Sequence, residues 1–173
     1  AGYHRQSYGG CKVGVGDTLI GAAKAITDYQ GVSRASHVKD KIIEMCHLNE
    51  TLYACGIACS AEGARTMAGN YMINILLANI CKQNVTRIAQ DLAGGLLVTM
   101  PSSKDFENPE VGPLLKKYLA AGGDVPTEHR QRMLRFIENL TMGCAAVGYL
   151  TESMHGAGSP QAQRIMIQRG EQL

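Results

Sequence analysis

The sequence predicts an all-α protein, an antiparallel helical bundle. Three observations carry that reading. Apolar residues recur at the three-and-four spacing of one helical face in segment after segment. Sustained apolar/polar alternation and the Asn-Gly or Asp-Gly pairs that close hairpins are absent from the sequence. Four of the five prolines fall between Pro101 and Pro126, which leaves the flanking segments almost free of helix breakers.

The first helix follows Asp17, a suitable N-cap, and carries Leu19, Ala22, Ala23, Ile26 and Tyr29 on one face before ending at Gly31. The stretch before it, YHRQSYGGCK, reads as a loop. Its adjacent glycines each disfavour a helix by about 1 kcal/mol relative to alanine, and a loop there would turn His4 and Cys11 toward one point. The second helix starts near Ser36, places Val38, Ile42, Met45, Asn49, Leu52, Gly56 and Cys59 on a bundle seam, and closes at Gly63. A third begins near Gly69-Asn70, carries Ile73, Leu76, Leu77, Ile80, Asn84 and Ile88, and reaches Gly94-Gly95.

The proline-rich part, SSKDFENPEVGP and AAGGDVP, reads as a connection around one short helix from Leu114 to Ala121. Thr127 caps the fourth long helix, with Glu128 in its first turn and Met133, Ile137, Leu140, Cys144 and Val147 along its seam, ended by Gly156 and Gly158. Ser159-Pro160, a cap followed by proline at the first helical position, starts a fifth helix through Gln161, Ile165 and Met166.

Composition narrows the function. The 173 residues suffice for one domain or for a piece of a larger protein, and the latter is expected, because the chain opens at Ala1 with its chemistry already under way. A net charge of +2 with interspersed signs gives no basic stripe for nucleic acid. No apolar run approaches the ~20 residues of a membrane span, so a soluble protein is expected. Six cysteines are too few for a disulfide scaffold in a chain this long and point to thiols or ligands in a reducing, cytoplasmic setting.

Four stretches carry chemistry. In MCHLNETLYACGIACS, Cys55 and Cys59 stand one turn apart with Cys46 and His47 upstream; Cys59 shares the apolar seam, so packing is the favoured reading over metal binding. In YHRQSYGGCK, His4, Tyr8, Cys11 and Lys12 crowd together, but a lone His and Cys are a weak signal, and two ligands do not complete a four-coordinate site. In QDLAGGLLVTMPS, Gly94-Gly95 after Gln90 is a glycine C-cap or a place where a flat or phosphorylated ligand approaches the backbone. In YLTESMHGAGSPQAQR, Glu152 and His155 precede a glycine-rich turn, so Glu152 is either an acid or base projecting into a cleft or a solvated helix-end acid.

Taken in order, YHRQSYGGCKVGVGD, HLNETLYACGIACSAEG, DLAGGLLVTMPS and TESMHGAGSPQAQRIMI resemble the C-terminal domain of the 4-hydroxybutyryl-CoA dehydratase family over essentially the whole chain. That family is related to flavin-dependent 4-hydroxyphenylacetate 3-monooxygenases and, more distantly, to acyl-CoA dehydrogenases, all of which end in a helical bundle. The resemblance implies that residues 1–173 are the C-terminal helical domain of a longer, cytoplasmic, tetrameric chain whose N-terminal and middle domains lie upstream. It implies a [4Fe-4S] cluster held by His4 and Cys11 together with two cysteines of the middle domain, so Cys46, Cys55 and Cys59 are not substitutes for them. Tyr8 and Lys12 match residues near the acyl-CoA substrate, Glu152 matches a C-terminal glutamate, and Gln90, Gly94 and Gly95 match the stretch that contacts FAD.

The implied reaction converts 4-hydroxybutyryl-CoA to crotonyl-CoA by one-electron chemistry and also isomerises vinylacetyl-CoA. In it His4 is ligand and base, Cys11 a ligand, Tyr8 and Lys12 polarise the departing hydroxyl or the thioester, and Glu152 is a second acid or base. A flavin-dependent aromatic hydroxylase and a non-catalytic oligomerisation bundle are the competing readings.

Overall fold

A computed structural model of the chain describes residues 2–93, 103–120, 122, 124–141 and 159–170, with the side chains of 86–93, 103, 141 and 160 outside the description. Among the described residues the helices are α1 (Gly2–Gln6), α2 (Tyr8–Tyr29), α3 (Ser36–Ala61), α4 (Ile75–Ala93), α5 (Ser103–Glu107), α6 (Gly112–Tyr118), α7 (Thr127–Thr141) and α8 (Pro160–Gly170). The helical bundle is therefore present, and its start differs from expectation.

The loop expected at Gly9-Gly10 is helix instead. Ser7 itself keeps helical dihedrals (φ −61°, ψ −18°), and its N–H bonds to the Tyr3 carbonyl at 3.0 Å, so α1 runs into α2 with little change of course. Asp17, expected as an N-cap, stands in mid-helix. The reason is tertiary. A Cβ on Gly9 would lie 2.5 Å from the Gly56 Cα, and one on Gly56 would lie 2.7 Å from the Gly9 Cα. Backbone packs directly on backbone there, and that close approach, available to glycine alone, offsets the local propensity cost.

Further along the same face a Cβ on Gly16 would stand 2.0 Å from Asn49 Oδ1. The Asn49 amide donates to Asp17 Oδ1 at 2.8 Å and to the Val13 carbonyl at 3.3 Å, and at the other end Gln6 Nε2 donates to Ser60 Oγ at 2.8 Å. Partners on α3 fall in number as those on α1 and α2 rise, so the two run antiparallel. Asn49 is 1% exposed. Asn49→Ala is expected to lower the unfolding free energy by about 1–3 kcal/mol, because Asp17 and Val13 lose their donor inside a packed contact. A urea titration with an unchanged midpoint would rule that contact out.

The expected seam of the second helix is buried in its second half only: Asn49, Leu52, Gly56 and Cys59 are the buried residues of α3, whereas Val38, Ile42 and Met45 are half-buried. Between α3 and α4 the chain forms a small hairpin that the sequence did not signal, β1 (Ala64–Arg65) against β2 (Tyr71–Met72), antiparallel, with Gly69 at φ +83° in its turn. Consequently α4 starts at Ile75, later than expected, capped by Asn74, whose Oδ1 accepts the Leu77 N–H at 3.0 Å. Tyr71 Oη donates to the Ser60 carbonyl at 2.5 Å, and Tyr3 Oη donates to the Tyr71 carbonyl, tying α1 to the hairpin.

Three apolar clusters fill the interior. Tyr8, Leu52, Cys81 and Val85 join the start of α2 to α3 and α4; Ala22, Ile26, Leu134 and Ile137 join α2 to α7; Cys59, Ile73 and Ala78 seal the α3–α4 turn. In the proline-rich part the short helix spans Gly112–Tyr118 rather than Leu114–Ala121, and α5 precedes it where only a connection was expected. Helix α7 begins at Thr127, which stands inside the helix rather than as its expected cap and whose hydroxyl donates to the Lys116 carbonyl at 3.4 Å, while Glu128 pairs with Lys116 at 3.0 Å. Helix α8 begins at Pro160, where Ser159 Oγ accepts the Ala162 N–H at 3.1 Å, and it packs on α4. Cys144, Val147, Gly156 and Gly158, assigned to the fourth helix and its end, lie outside the described residues. Among the described residues no helix is long and apolar enough to cross a membrane.

Candidate functional site

Because α1 and α2 are nearly one helix, each residue advances about 100° around the axis. His4 and Cys11 therefore share one line along the surface, separated by roughly 10 Å of rise, with Tyr8 about 40° and Lys12 about 80° round from them. Burial follows the same order. His4 and Cys11 are exposed, whereas Tyr8 is 2% and Lys12 7% exposed.

The structure brings His4, Tyr8 and Lys12 into direct register. The His4 and Tyr8 rings meet edge to face with centroids 5.1 Å apart, and Lys12 Nζ stands 5.5 Å from the centre of the Tyr8 ring. An ammonium over an aromatic face is attracted by the ring quadrupole, so Tyr8 holds both neighbours while its own ring is fixed in the core with Leu52, Cys81 and Val85. Cys11 shares the exposed line of His4 on the solvent side. Gln90 falls within the last turns of α4, its side chain outside the description, and Gly94, Gly95, Glu152 and His155 lie outside the described residues.

Neighbouring groups that spacing did not single out complete the surroundings. Arg5 Nη1 donates to Asn79 Oδ1 at 2.7 Å, which docks α1 on α4. Lys82, one turn further along α4, has its pKa lowered by burial and by the Arg5 charge. Arg5 and Lys82 make this end of α4 cationic; they escaped the sequence reading because their proximity arises only when α1 packs on α4.

Cysteines cluster behind Tyr8. Cys59, 0% exposed, donates to the Asn74 carbonyl at 3.2 Å, and Cys55, half-buried, donates to the Leu77 carbonyl at 3.4 Å. Cys81, 0% exposed, faces Cys55 across the α3–α4 contact. The Cys81 thiol donates to the Cys55 sulfur, which pushes Cys81 up and Cys55 down; burial and the Cys55 charge push Cys59 up. Packing was the sequence reading for Cys55 and Cys59, and both do pack; Cys46 and His47 are exposed. Among the described residues no three His, Cys, Asp or Glu side chains are grouped to hold a metal ion.

Comparison with known proteins adds a family context. The model of the family described as 4-hydroxyphenylacetate 3-hydroxylase C terminal matches residues 1–173. The chain is 63% identical over 184 aligned positions to 4-hydroxybutyryl-CoA dehydratase/vinylacetyl-CoA-Δ-isomerase of Clostridium aminobutyricum, covering 98% of this chain and 38% of that protein. It superimposes with a TM-score of 0.81 on an oxygen-tolerant archaeal 4-hydroxybutyryl-CoA dehydratase from N. maritimus, at 63% identity, covering 96% of this chain and 35% of the other. The oxygenase component of 4-hydroxyphenylacetate 3-monooxygenase, solved with FAD and 4-hydroxyphenylacetate, gives a TM-score of 0.75 at 19% identity, with 95% of this chain and 36% of that one covered, and shares the fold. The chain thus spans little more than a third of the relatives it matches.

Proposed function

The chain belongs to the 4-hydroxyphenylacetate 3-hydroxylase C-terminal family, and from that membership we propose that it forms the C-terminal helical part of a 4-hydroxybutyryl-CoA dehydratase with vinylacetyl-CoA isomerase activity. The observation that carries this reading is the 63% identity over 98% of the chain to a protein of that name, against 19% to the oxygenase component of equal fold.

A [4Fe-4S] cluster and FAD belong to the proposal. The donor set fits a cluster: His4 and Cys11 are exposed on one line of the helix, and imidazole and thiolate are both ligands that iron–sulfur centres use. His4 and Cys11 would hold it, with the remaining donors from other parts of the polypeptide. When bound, the cluster supplies a Lewis-acidic iron and FAD a one-electron acceptor. For FAD, which the related oxygenase component was solved with, the contacts proposed are Gln90, Gly94 and Gly95.

The chain's own residues would then bind, orient and move protons. The His4 imidazole, steadied edge-on by Tyr8, takes a proton from carbon 2 of the acyl chain. Tyr8 Oη and Lys12 Nζ, fixed in the core beside it, donate to the substrate hydroxyl or thioester oxygen without reorganising at the moment of reaction. Glu152 is proposed as the second acid or base. Exposed Ile43, Tyr53 and Ile57 on α3 support covering of this domain by other domains of the polypeptide and by further copies, in a homotetramer of the cytoplasm.

The test is anaerobic incubation of the intact protein carrying this chain with 4-hydroxybutyryl-CoA. Crotonyl-CoA should accumulate on a chromatogram, and vinylacetyl-CoA should be converted to the same product. Hydroxylation of 4-hydroxyphenylacetate by reduced flavin and oxygen, with no dehydration, would overturn the reading.

A further inference from the structure

The cysteines behind Tyr8 are not used by the proposed chemistry, and their arrangement is unequal. Cys55 is half-buried, while Cys81, packed in the same cluster, is 0% exposed. Cys55 lies opposite the α4 turn that carries Leu77 and Cys81, as its 3.4 Å contact with the Leu77 carbonyl fixes. Both belong to one packed cluster with Leu52 and Tyr8. An accessible thiol backed by a second, shielded thiol is the arrangement of a redox-responsive pair, in which one sulfur reacts and the other resolves.

We propose that Cys55 and Cys81 form such a pair: Cys55 is a site of modification by low-molecular-weight disulfides, and Cys81 resolves the adduct into a Cys55–Cys81 disulfide joining α3 to α4. In the first step the Cys55 sulfur attacks one sulfur of oxidised glutathione; a protein–glutathione disulfide forms, and the departing glutathione takes the Cys55 proton. In the second, the Cys81 sulfur attacks Cys55, a protein disulfide forms, and the second glutathione leaves with the Cys81 proton. Two thiols of the protein are oxidised and one small disulfide is reduced to two thiols, so electrons and protons balance.

The electrostatics agree with the direction of attack. Hydrogen bonding from Cys81 favours the thiolate at Cys55, whereas burial and the Cys55 charge hold the proton on Cys81 until Cys55 has reacted. Cys81 also shares its cluster with Tyr8, so the start of α2 shares a wall with the pair. The inference does not depend on the dehydratase reading, since neither thiol is assigned to the cluster or the substrate.

The intact protein is incubated with a large excess of oxidised glutathione, then digested in acid without reductant and analysed by mass spectrometry. The expected product is a peptide pair joined through Cys55 and Cys81, lighter by two hydrogens than the separate thiols. In Cys81→Ser the cross-link disappears and glutathione accumulates on Cys55. A wild-type digest in which Cys55 and Cys81 stay unlinked under that excess overturns the proposal, whether or not the variant folds.

Discussion

Replacing His4 by alanine in the intact protein is expected to lower kcat for 4-hydroxybutyryl-CoA dehydration by about 10³-fold or more, since general-base catalysis alone contributes ~10²–10⁴. Bound iron should fall with it. His4 is exposed, and its loss removes an edge contact on Tyr8. Cys11→Ser should also release iron, because a hydroxyl is a far poorer iron ligand than a thiolate. Tyr8→Phe separates chemistry from packing: it keeps the ring between His4 and Lys12 while deleting the hydroxyl, so kcat should drop by about 10²-fold with iron content unchanged. A fully active, iron-replete His4→Ala protein would refute both the base and the ligand.

The second large effect concerns two adjacent glycines that a local reading treats alike. Gly9→Ala should destabilise the protein by about 2–3 kcal/mol, because its methyl must push against the Gly56 backbone, which has no flexible end to move aside. Gly10→Ala meets nothing within 4 Å and should be neutral or stabilising by about 0.5–1 kcal/mol, through helix propensity. In a melting experiment Gly9→Ala should fall by roughly 5–10 °C at ~2–4 °C per kcal/mol, while Gly10→Ala should match the wild type or rise slightly. Equal shifts would mean that the α2–α3 crossing is looser than described.

That pair of residues also marks the limit of what the sequence discloses. The α3 seam was legible because Asn49, Leu52, Gly56 and Cys59 repeat at helical spacing within one segment, and Ser159-Pro160 was legible because caps act locally. Gly9 was misread because what favours helix there comes from Gly56 on another element. The hairpin escaped because strands of two residues show no alternation to detect. At the site, His4, Tyr8, Cys11 and Lys12 were nameable by resemblance, but the shared line of His4 and Cys11 requires knowing that the glycines are helical. Cys81 and Lys82 carried no signal, since their partners, Cys55 and Arg5, arrive from other helices.

The two tight contacts of α2 with α3, at Gly9 and at Gly16, lie on one side of α2, about 140° round from His4 and Cys11. They act as two keys in a slot: a shaft keyed twice along its length can neither roll nor slide. The azimuth of the imidazole and the thiol is thereby set from the far side of the helix, before any inorganic group or substrate is in place.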